Sequence, residues 1–549
     1  MSYPNYGSLR MLVVDDFDNF RVTVAKLMQS LGVAAVDMAV NGTQAVRACK
    51  SRRYDVILCD FSLGQGKNGQ QVLEELMQEK LLPKTSLFAF VSAESSRSVV
   101  LAANEFEPHG YFTKPINGKA LQQRLERMLL QRDALMPALK ALDENNHESA
   151  IAHLQELIDS SSRYTTACQK LLGQLYIDTE NYTLAELLFE GVLEARRVDW
   201  AVVGLAKVKQ CQGLWDVSTK MLREIILENP LCMMAYDTLI ADYERKGDSI
   251  GLQQLLQKAV KVSPLSLRRN RDLAYVSLKN NDAAAAAGAF RKTVRLGTNS
   301  CNDDIEHHLQ FGRTAAAMSH EDHEEGRDYL RDALINLESL DRRFELSEDE
   351  KLQTGLIESR IYLAQGNTKK AKEVLSQTEG YMGADGRRQE FETELDRVYA
   401  LFDLGENTRA KQCLGELVRL YEKDQKALEK LDILLDEPLS EENQAKVKDI
   451  NREGISFYKN HLYEDAINCF VQARQLFPNH VGIMLNLVQA YTGHIKAFGF
   501  STERMQHCEK VLQAAEARIE MDNPQFERFR QLRDICRSIS QGGHRVSFE

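Results

Sequence analysis

The chain changes its periodicity once, near residue 130, and that change limits what it can fold into. From residue 10 to about 128, short β-rich apolar runs alternate with helical stretches. RMLVV (10–14), AAVDM (34–38), DVILC (55–59), SLFAFV (86–91) and YFT (111–113) read as strands, and helices follow after Phe17, Asn41, Gly69, Ser95 and Asn117. Five βα units in a row, with continuously apolar strands, predict a doubly wound five-stranded parallel sheet with helices on both faces. Beyond about residue 130 the strand signal ends and helical periodicity continues almost to the end. The expected architecture is α/β over residues 1–130 and all-α over residues 131–540.

A chain of 549 residues has room for several separately cored units. It is 43% hydrophobic and 27% charged, and no apolar run approaches the roughly 18 residues that a membrane span requires. The first residues, MSYPNYGSLRMLVVDD, lack the cationic patch and apolar run of a secretory leader, and the ten cysteines are scattered with no C-x-x-C. A cytoplasmic setting is expected, with no membrane association. Residues 1–130 carry 15 Lys and Arg against 13 Asp and Glu, so the net charge of −11 belongs to the helical remainder. Such a surface repels phosphate backbones, which argues against direct nucleic-acid binding.

Ligands of a parallel sheet bind at the carboxyl ends of its strands. Asp15 and Asp16 follow the first strand, Asp60 the third, Ser92 the fourth, and Lys114-Pro115 the fifth. Three carboxylates at one edge repel one another unless a hard divalent cation neutralises them, and Mg²⁺ suits a few carboxylates plus waters and a phosphoryl oxygen. Asp60 can then act as a nucleophile toward phosphorus, with the metal and the Lys114 ammonium offsetting the charge on the transferring group.

With these positions in place, the first 130 residues resemble the receiver domain of two-component response regulators, a flavodoxin-like fold. The resemblance implies Asp60 as phosphoacceptor, and Mg²⁺ held by Asp15, Asp16, Asp60 and the backbone carbonyl of Ser62. It implies a sensor histidine kinase or phosphotransfer protein as donor. Ser92 matches the family's switch hydroxyl, Tyr111 the aromatic that swings inward behind it, and Lys114-Pro115 a peptide bond that is usually cis in receivers. The loop after the acceptor, D-F-S-L-G-Q-G-K-N-G, is one residue longer than usual and has Gly64 where proline is common. Ser62 and Glu94 occupy places that tune autodephosphorylation. Gly64, Gly66 and Gly69 spell G-x-G-x-x-G, but the run lies beyond the third strand, not in the first βα turn, and no acid stands about twenty residues on. It reads as a flexible loop beside the acceptor.

In the helical remainder, Pro230 and Pro264 lie 34 residues apart. From Met233, the residues Tyr236, Leu239, Tyr243, Gly247, Ala259 and Pro264 fall at regular spacing. From Val447, so do Gly454, Phe457, Ala466, Phe470, Ala473 and Pro478. Gly173, Tyr176, Ala185 and Phe189 mark another unit, as do Leu273, Ala274, Ala286 and Phe290, then Tyr362, Gly366 and Ala371, and Leu401, Gly405 and Ala410. These resemble the tetratricopeptide (TPR) repeat, in which small residues let two helices approach and aromatics fill the wedge between hairpins. The clearest repeats are 166–198, 199–232, 233–266, 267–300, 352–380, 391–420, 447–480 and 481–520, while 301–350 and 420–446 fit poorly.

His307, His308, His320 and His323 have acids nearby but no Cys or His partner at diagnostic metal spacing, and read as surface residues of helices. The repeats offer no catalytic constellation. The function expected is therefore that of a response regulator, not an enzyme beyond self-phosphorylation from small donors and self-dephosphorylation. Its output would be binding of a protein target by the repeats, with homodimerisation a further option. The alternative is a phosphotransfer competitor of a histidine kinase with no dedicated target. No Gly/Ser/Pro-rich linker separates the halves. The stretch LQQRLERMLLQRDALMPALKALDENN is helical in pattern, interrupted only by Pro137, so the last receiver helix is expected to pack on or run into the first repeat hairpin.

Overall fold

The computed structural model describes residues 4–160, 162–318, 324–384, 389–519, 521 and 523–546. It forms two compact units, Met1–Thr314 and Ala315–Glu549. The first begins with strands β1 (Arg10–Val14), β2 (Ala35–Ala39), β3 (Val56–Cys59), β4 (Leu87–Ser92) and β5 (Gly110–Thr113). All are parallel, in the order β2-β1-β3-β4-β5. Helices α1 (Asp18–Ser30), α2 (Gly42–Ser51), α3 (Gly69–Gln78), α4 (Arg97–Ala103) and α5 (Gly118–Asp143) connect and follow them, and a short 3-10 turn (Asn104–Phe106) extends α4.

Side chains alternate across the sheet, and this alternation builds two cores from each apolar run. Leu12, Val14, Ile57, Cys59, Phe88 and Phe90 face one side, under α2, α3 and α4. Met11, Val13, Val56, Leu58, Leu87 and Ala89 face the other, under α1 and α5. Phe90 meets Phe88 and Phe61 edge to face, with ring centroids 5.2 and 5.8 Å apart. Asn41, Asn68 and Asn117 cap α2, α3 and α5 by accepting from backbone N–H groups, so each helix starts at a defined place relative to the strand before it.

Helix α5 does not stop at residue 130. It continues unbroken through Pro137 to Asp143, where the Asp143 carboxylate accepts from Lys84 N (2.6 Å) and Thr85 Oγ1 (3.0 Å) on the loop before β4. Its far end is therefore tied back to the α/β domain. The helices that follow are α6 (His147–Asp159), α7 (Thr165–Asp178), α8 (Tyr182–Ala195), α9 (Asp199–Cys211), α10 (Trp215–Glu228), α11 (Met233–Lys246), α12 (Ser249–Val262), α13 (Leu267–Lys279), α14 (Ala283–Gly297) and α15 (Ile305–Met318). From α5 to α14 each packs on the next. Phe189 shows how: a Cβ at Gly173 or Gly204 would stand 2.5 or 2.4 Å from its ring, so α7 and α9 close on one buried aromatic only because both positions lack a side chain.

The second unit is also helical, with α16 (Glu324–Glu338), α17 (Leu340–Arg343), α18 (Glu348–Ala364), α19 (Thr368–Ala384), α20 (Phe391–Asp403), α21 (Asn407–Leu420), α22 (Gln425–Leu431), α23 (Glu441–Lys459), α24 (Tyr463–Leu476), α25 (Val481–Phe498), α26 (Thr502–Glu516) and α27 (Phe526–Val546). The architecture is thus a five-stranded parallel sheet flanked by helices, followed by a solenoid-like helical region. The short α17 and α22 fall in the two stretches that break the repeat pattern. After α22, buried Asp432 accepts from Leu439 N (2.6 Å), Ser440 Oγ (2.5 Å) and Asn443 Nδ2 (3.0 Å), which fixes the chain where no helix does. Gly454 lies against Phe470 as Gly173 lies against Phe189.

His307 and His308 are not the surface residues expected. Both are buried, and His308 Nε2 is 2.9 Å from Oδ1 of Asp303, two residues before α15. The local acid that suggested a ligand set instead holds a core histidine. His320 and His323 lie outside the described residues. None of the described helices is long and apolar enough to cross a membrane, and all ten cysteines are free.

Candidate functional site

Because every strand is parallel, all five carboxyl ends open on one edge, and backbone hydrogen bonds continue the ladder past the strands into the site residues. Asp15 N donates to Ala39 O (3.2 Å), Asp60 N to Val14 O (2.8 Å) and Lys114 N to Ser92 O (2.7 Å). Side chains far apart in sequence are thereby held in fixed register.

Lys114 Nζ lies 2.6 Å from both Asp15 Oδ2 and Asp60 Oδ2, and 4.3 Å from the centre of the Phe20 ring. Asp15 is fully buried; its Oδ1 accepts from Phe17 N (2.9 Å), and its carbonyl accepts from Arg21 Nη1 (2.6 Å). Asp60 is buried and its Oδ1 accepts from Ser62 N at 3.2 Å. Asp16 is exposed, yet one oxygen from each of Asp15, Asp16 and Asp60 falls within a 4.8 Å cluster.

Burial pushes the Asp15 carboxyl up, against the lowering effect of Lys114 and the Phe17 amide; the Asp60 charge adds to the rise. Burial also opposes the charge on Lys114, but hydrogen bonds to Asp15 and Asp60 outweigh it and carry the ammonium above its ordinary value. The Lys114 ammonium thus bridges two buried carboxylates, with a third, that of Asp16, within 4.8 Å of them. That excess of hard, negatively charged oxygen, open to water on the Asp16 side, fits a Mg²⁺ ion. Bound there, Mg²⁺ would neutralise the acids and polarise a phosphoryl oxygen.

Ser92 and Tyr111 meet over one loop. Ser92 Oγ accepts from Glu94 N (3.1 Å), Tyr111 Oη donates to Glu94 O (2.5 Å), and Ser62 Oγ donates to Glu94 Oε1 (3.0 Å). The Tyr111 ring is 6.2 Å from that of Phe90. The Lys114–Pro115 peptide bond is cis.

Residues 11–126 match the family model of the response regulator receiver domain. The N-terminal domain is a response regulator receiver. Over 120 residues the chain is 26% identical to the chemotaxis protein CheY of Pseudomonas aeruginosa, covering 22% of this chain and 95% of that one. Over 121 residues it is 25% identical to CheY-3 of Vibrio cholerae, covering 22% and 92%. A solved structure of the chemotaxis response regulator CheY4 of Vibrio cholerae is 23% identical and covers 22% of this chain and 98% of that one, with a TM-score of 0.21. All of this similarity lies in the receiver.

The loop after Asp60 is pinned at its far end. Gly64 and Gly66 adopt φ of +69° and +98°, conformations that favour glycine. Gly69 serves a different purpose: a Cβ there would lie 2.1 Å from the Asp60 carbonyl oxygen, and Gly69 N donates to Phe61 O at 2.8 Å. The start of α3 therefore rests directly on the Asp60 backbone, a closer fit than the flexible loop read from the sequence. Phe20 and Arg21 were not singled out by sequence reasoning. Their only signal was position, one turn into the helix that follows the acid pair.

Proposed function

We propose that the chain is a two-component response regulator in which Asp60 accepts a phosphoryl group from a phosphohistidine of a sensor kinase or phosphotransfer protein. A carboxylate oxygen of Asp60 attacks phosphorus, the P–N bond to the donor breaks, and a mixed anhydride forms. The observation that carries this reading is the Lys114 ammonium spanning Asp15 and Asp60 beside Asp16. Asp15, Asp16, Asp60 and the Ser62 carbonyl would hold Mg²⁺. Lys114 is already placed on an Asp60 oxygen, where charge develops on the transferring group, so no reorganisation is needed at the moment of transfer. Ser92 and Tyr111 would sense the product, since both now hold the Glu94 loop. The helical region, read as tetratricopeptide-type repeats on the packing of Gly173 with Phe189 and of Gly454 with Phe470, would engage a protein target in the cytoplasm.

Mixing the intact chain with a radiolabelled phosphohistidine protein and Mg²⁺ tests the reading. The label is expected to move to the chain, to be lost in mild base as acyl phosphates are, and to stay on the donor in excess EDTA. Transfer undiminished in EDTA, or no transfer from any histidine donor, would overturn it. Transfer with no change in any protein complex of the helical region would favour the competitor role.

A further inference from the structure

Apart from the α5 junction, the receiver touches the helical part of its own unit along a second edge, formed by α3 and the 3-10 turn after α4. Gln71, the third residue of α3, faces both ways. Its Oε1 accepts from Asn68 N (3.0 Å), which closes the box that caps α3, while its Nε2 donates to Leu296 O (3.0 Å) and Thr298 O (3.1 Å). Those carbonyls belong to the end of α14, where a helix leaves acceptors without partners. Beside them, Asn302 Nδ2 donates to Glu74 Oε1 at 2.7 Å.

On the 3-10 turn, Ser266 Oγ donates to Glu105 Oε1 at 2.5 Å. Arg269 Nη1 lies 3.7 Å from the same oxygen, and Arg269 uses its other nitrogens on Asp237 at 2.9 and 2.7 Å. Glu105 Oε2 and Arg269 Nη1 are both buried with no hydrogen-bond partner. Leu265, just before α13, packs on the receiver core, as Phe106 and Tyr111 do.

We infer that this edge is the surface through which the helical array senses the receiver, and that phosphorylation of Asp60 loosens it. The inference rests on the phosphoacceptor reading. Both sides of the edge lead back to the acceptor. Gly69 packs on the Asp60 carbonyl two residues before Gln71, so a change in the acceptor loop reaches the α3 cap without an intermediate. Ser92 and Tyr111 hold the Glu94 loop that leads into α4, and α4 ends in the turn bearing Glu105.

The direction follows from the half-satisfied ion pair. A buried polar atom left unpaired loses its hydration without recompense, so the closed edge is held with little surplus and a small displacement of the turn opens it. Coupling is reciprocal at equilibrium: if phosphorylation opens the edge, opening the edge strengthens binding of a phosphoryl mimic by the same factor.

Hydrogen exchange on the full chain, combined with beryllofluoride titration in Mg²⁺, tests this. In the wild type, beryllofluoride is expected to speed exchange of amides 296–302 about tenfold, within the range of ordinary allosteric coupling. Asp60→Asn should show no response. Gln71→Glu keeps an oxygen for the Asn68 amide but turns the donor facing Leu296 and Thr298 into an acceptor. Its exchange there should already be fast without ligand, and it should bind beryllofluoride about tenfold more tightly. Ser266→Ala should act in the same direction. A wild type that takes the mimic at Asp60 with exchange at 296–302 unchanged, or a Gln71→Glu chain with unaltered mimic affinity, would overturn the inference and leave the acceptor reading standing. A wild type that binds no mimic and takes no phosphoryl group overturns both.

Discussion

Lys114→Met is expected to make the metal-free chain about 3 kcal/mol less stable at neutral pH, because removing one partner of a buried ion pair leaves the others uncompensated. Here two carboxylates, Asp15 and Asp60, lose the ammonium that lies 2.6 Å from both. Met is close to lysine in length and keeps the contact with the Phe20 ring, so the effect isolates the charge. The folded-state value of Lys114 lies above its ordinary 10.5. Its stabilisation is therefore complete at neutral pH and is lost only as pH rises through that folded value. Two conditions should restore the variant. Mg²⁺ replaces the missing positive charge, and acid protonates Asp15, whose carboxyl burial already pushes up. Urea denaturation in EDTA at neutral and at acid pH, and at neutral pH in Mg²⁺ without EDTA, measures both. Phosphorylation should fall about 10²–10³-fold even with Mg²⁺ present, the usual loss when a preorganised group facing developing charge is removed. A variant as stable as wild type in EDTA and equally fast with Mg²⁺ would mean that the 2.6 Å contacts carry neither role.

Gly69→Ala is expected to cost about 3 kcal/mol, at the upper end for overpacking. The added Cβ would meet the Asp60 carbonyl oxygen at 2.1 Å and the Phe61 Cα at 3.0 Å, and both are backbone atoms that no rotamer change can move aside. Either α3 shifts or the Asp60 backbone does. In the first case the hydrogen bond from Gly69 N to Phe61 O is lost, and in the second Asp60 leaves its register with Val14. Gly66→Ala is a useful control, because its Cβ meets nothing within 4 Å and only its φ of +98° is strained. Denaturation should rank the losses Gly69→Ala above Gly66→Ala. The reverse order would show that the loop yields at its far end more easily than the close packing implies.

The meeting of these side chains at one sheet edge could be read from the sequence because a parallel sheet converts strand order into spatial convergence. Asp15, Asp60, Ser92 and Lys114 each directly end or follow an apolar run, and no long-range packing is needed to bring them together. The contacts of Gln71 and Glu105 are a different matter. They join residues up to 227 positions apart, and their partners, Thr298 O, Leu296 O and Ser266 Oγ, belong to a helix end and a turn that no periodicity marks. The compact unit holding the receiver runs on to Thr314 for the same reason: the array returns to the α3 edge. Pro137 read as an interruption because proline removes one helical hydrogen bond, yet the packing of α5 on α6 carries the helix through it. His308 misled because an acid five residues before a histidine looks the same in sequence whether the pair faces water or the core.

Borohydride trapping decides whether Asp60 carries the phosphoryl group. The intact chain is incubated with Mg²⁺ and a small acyl phosphate, reduced with borohydride, which converts an aspartyl phosphate to homoserine, and digested for peptide mass spectrometry alongside Asp60→Asn. Homoserine is expected at position 60 in the wild type and at no position in the variant. Homoserine elsewhere in the wild type, or equal phosphoryl uptake by Asp60→Asn, would contradict it.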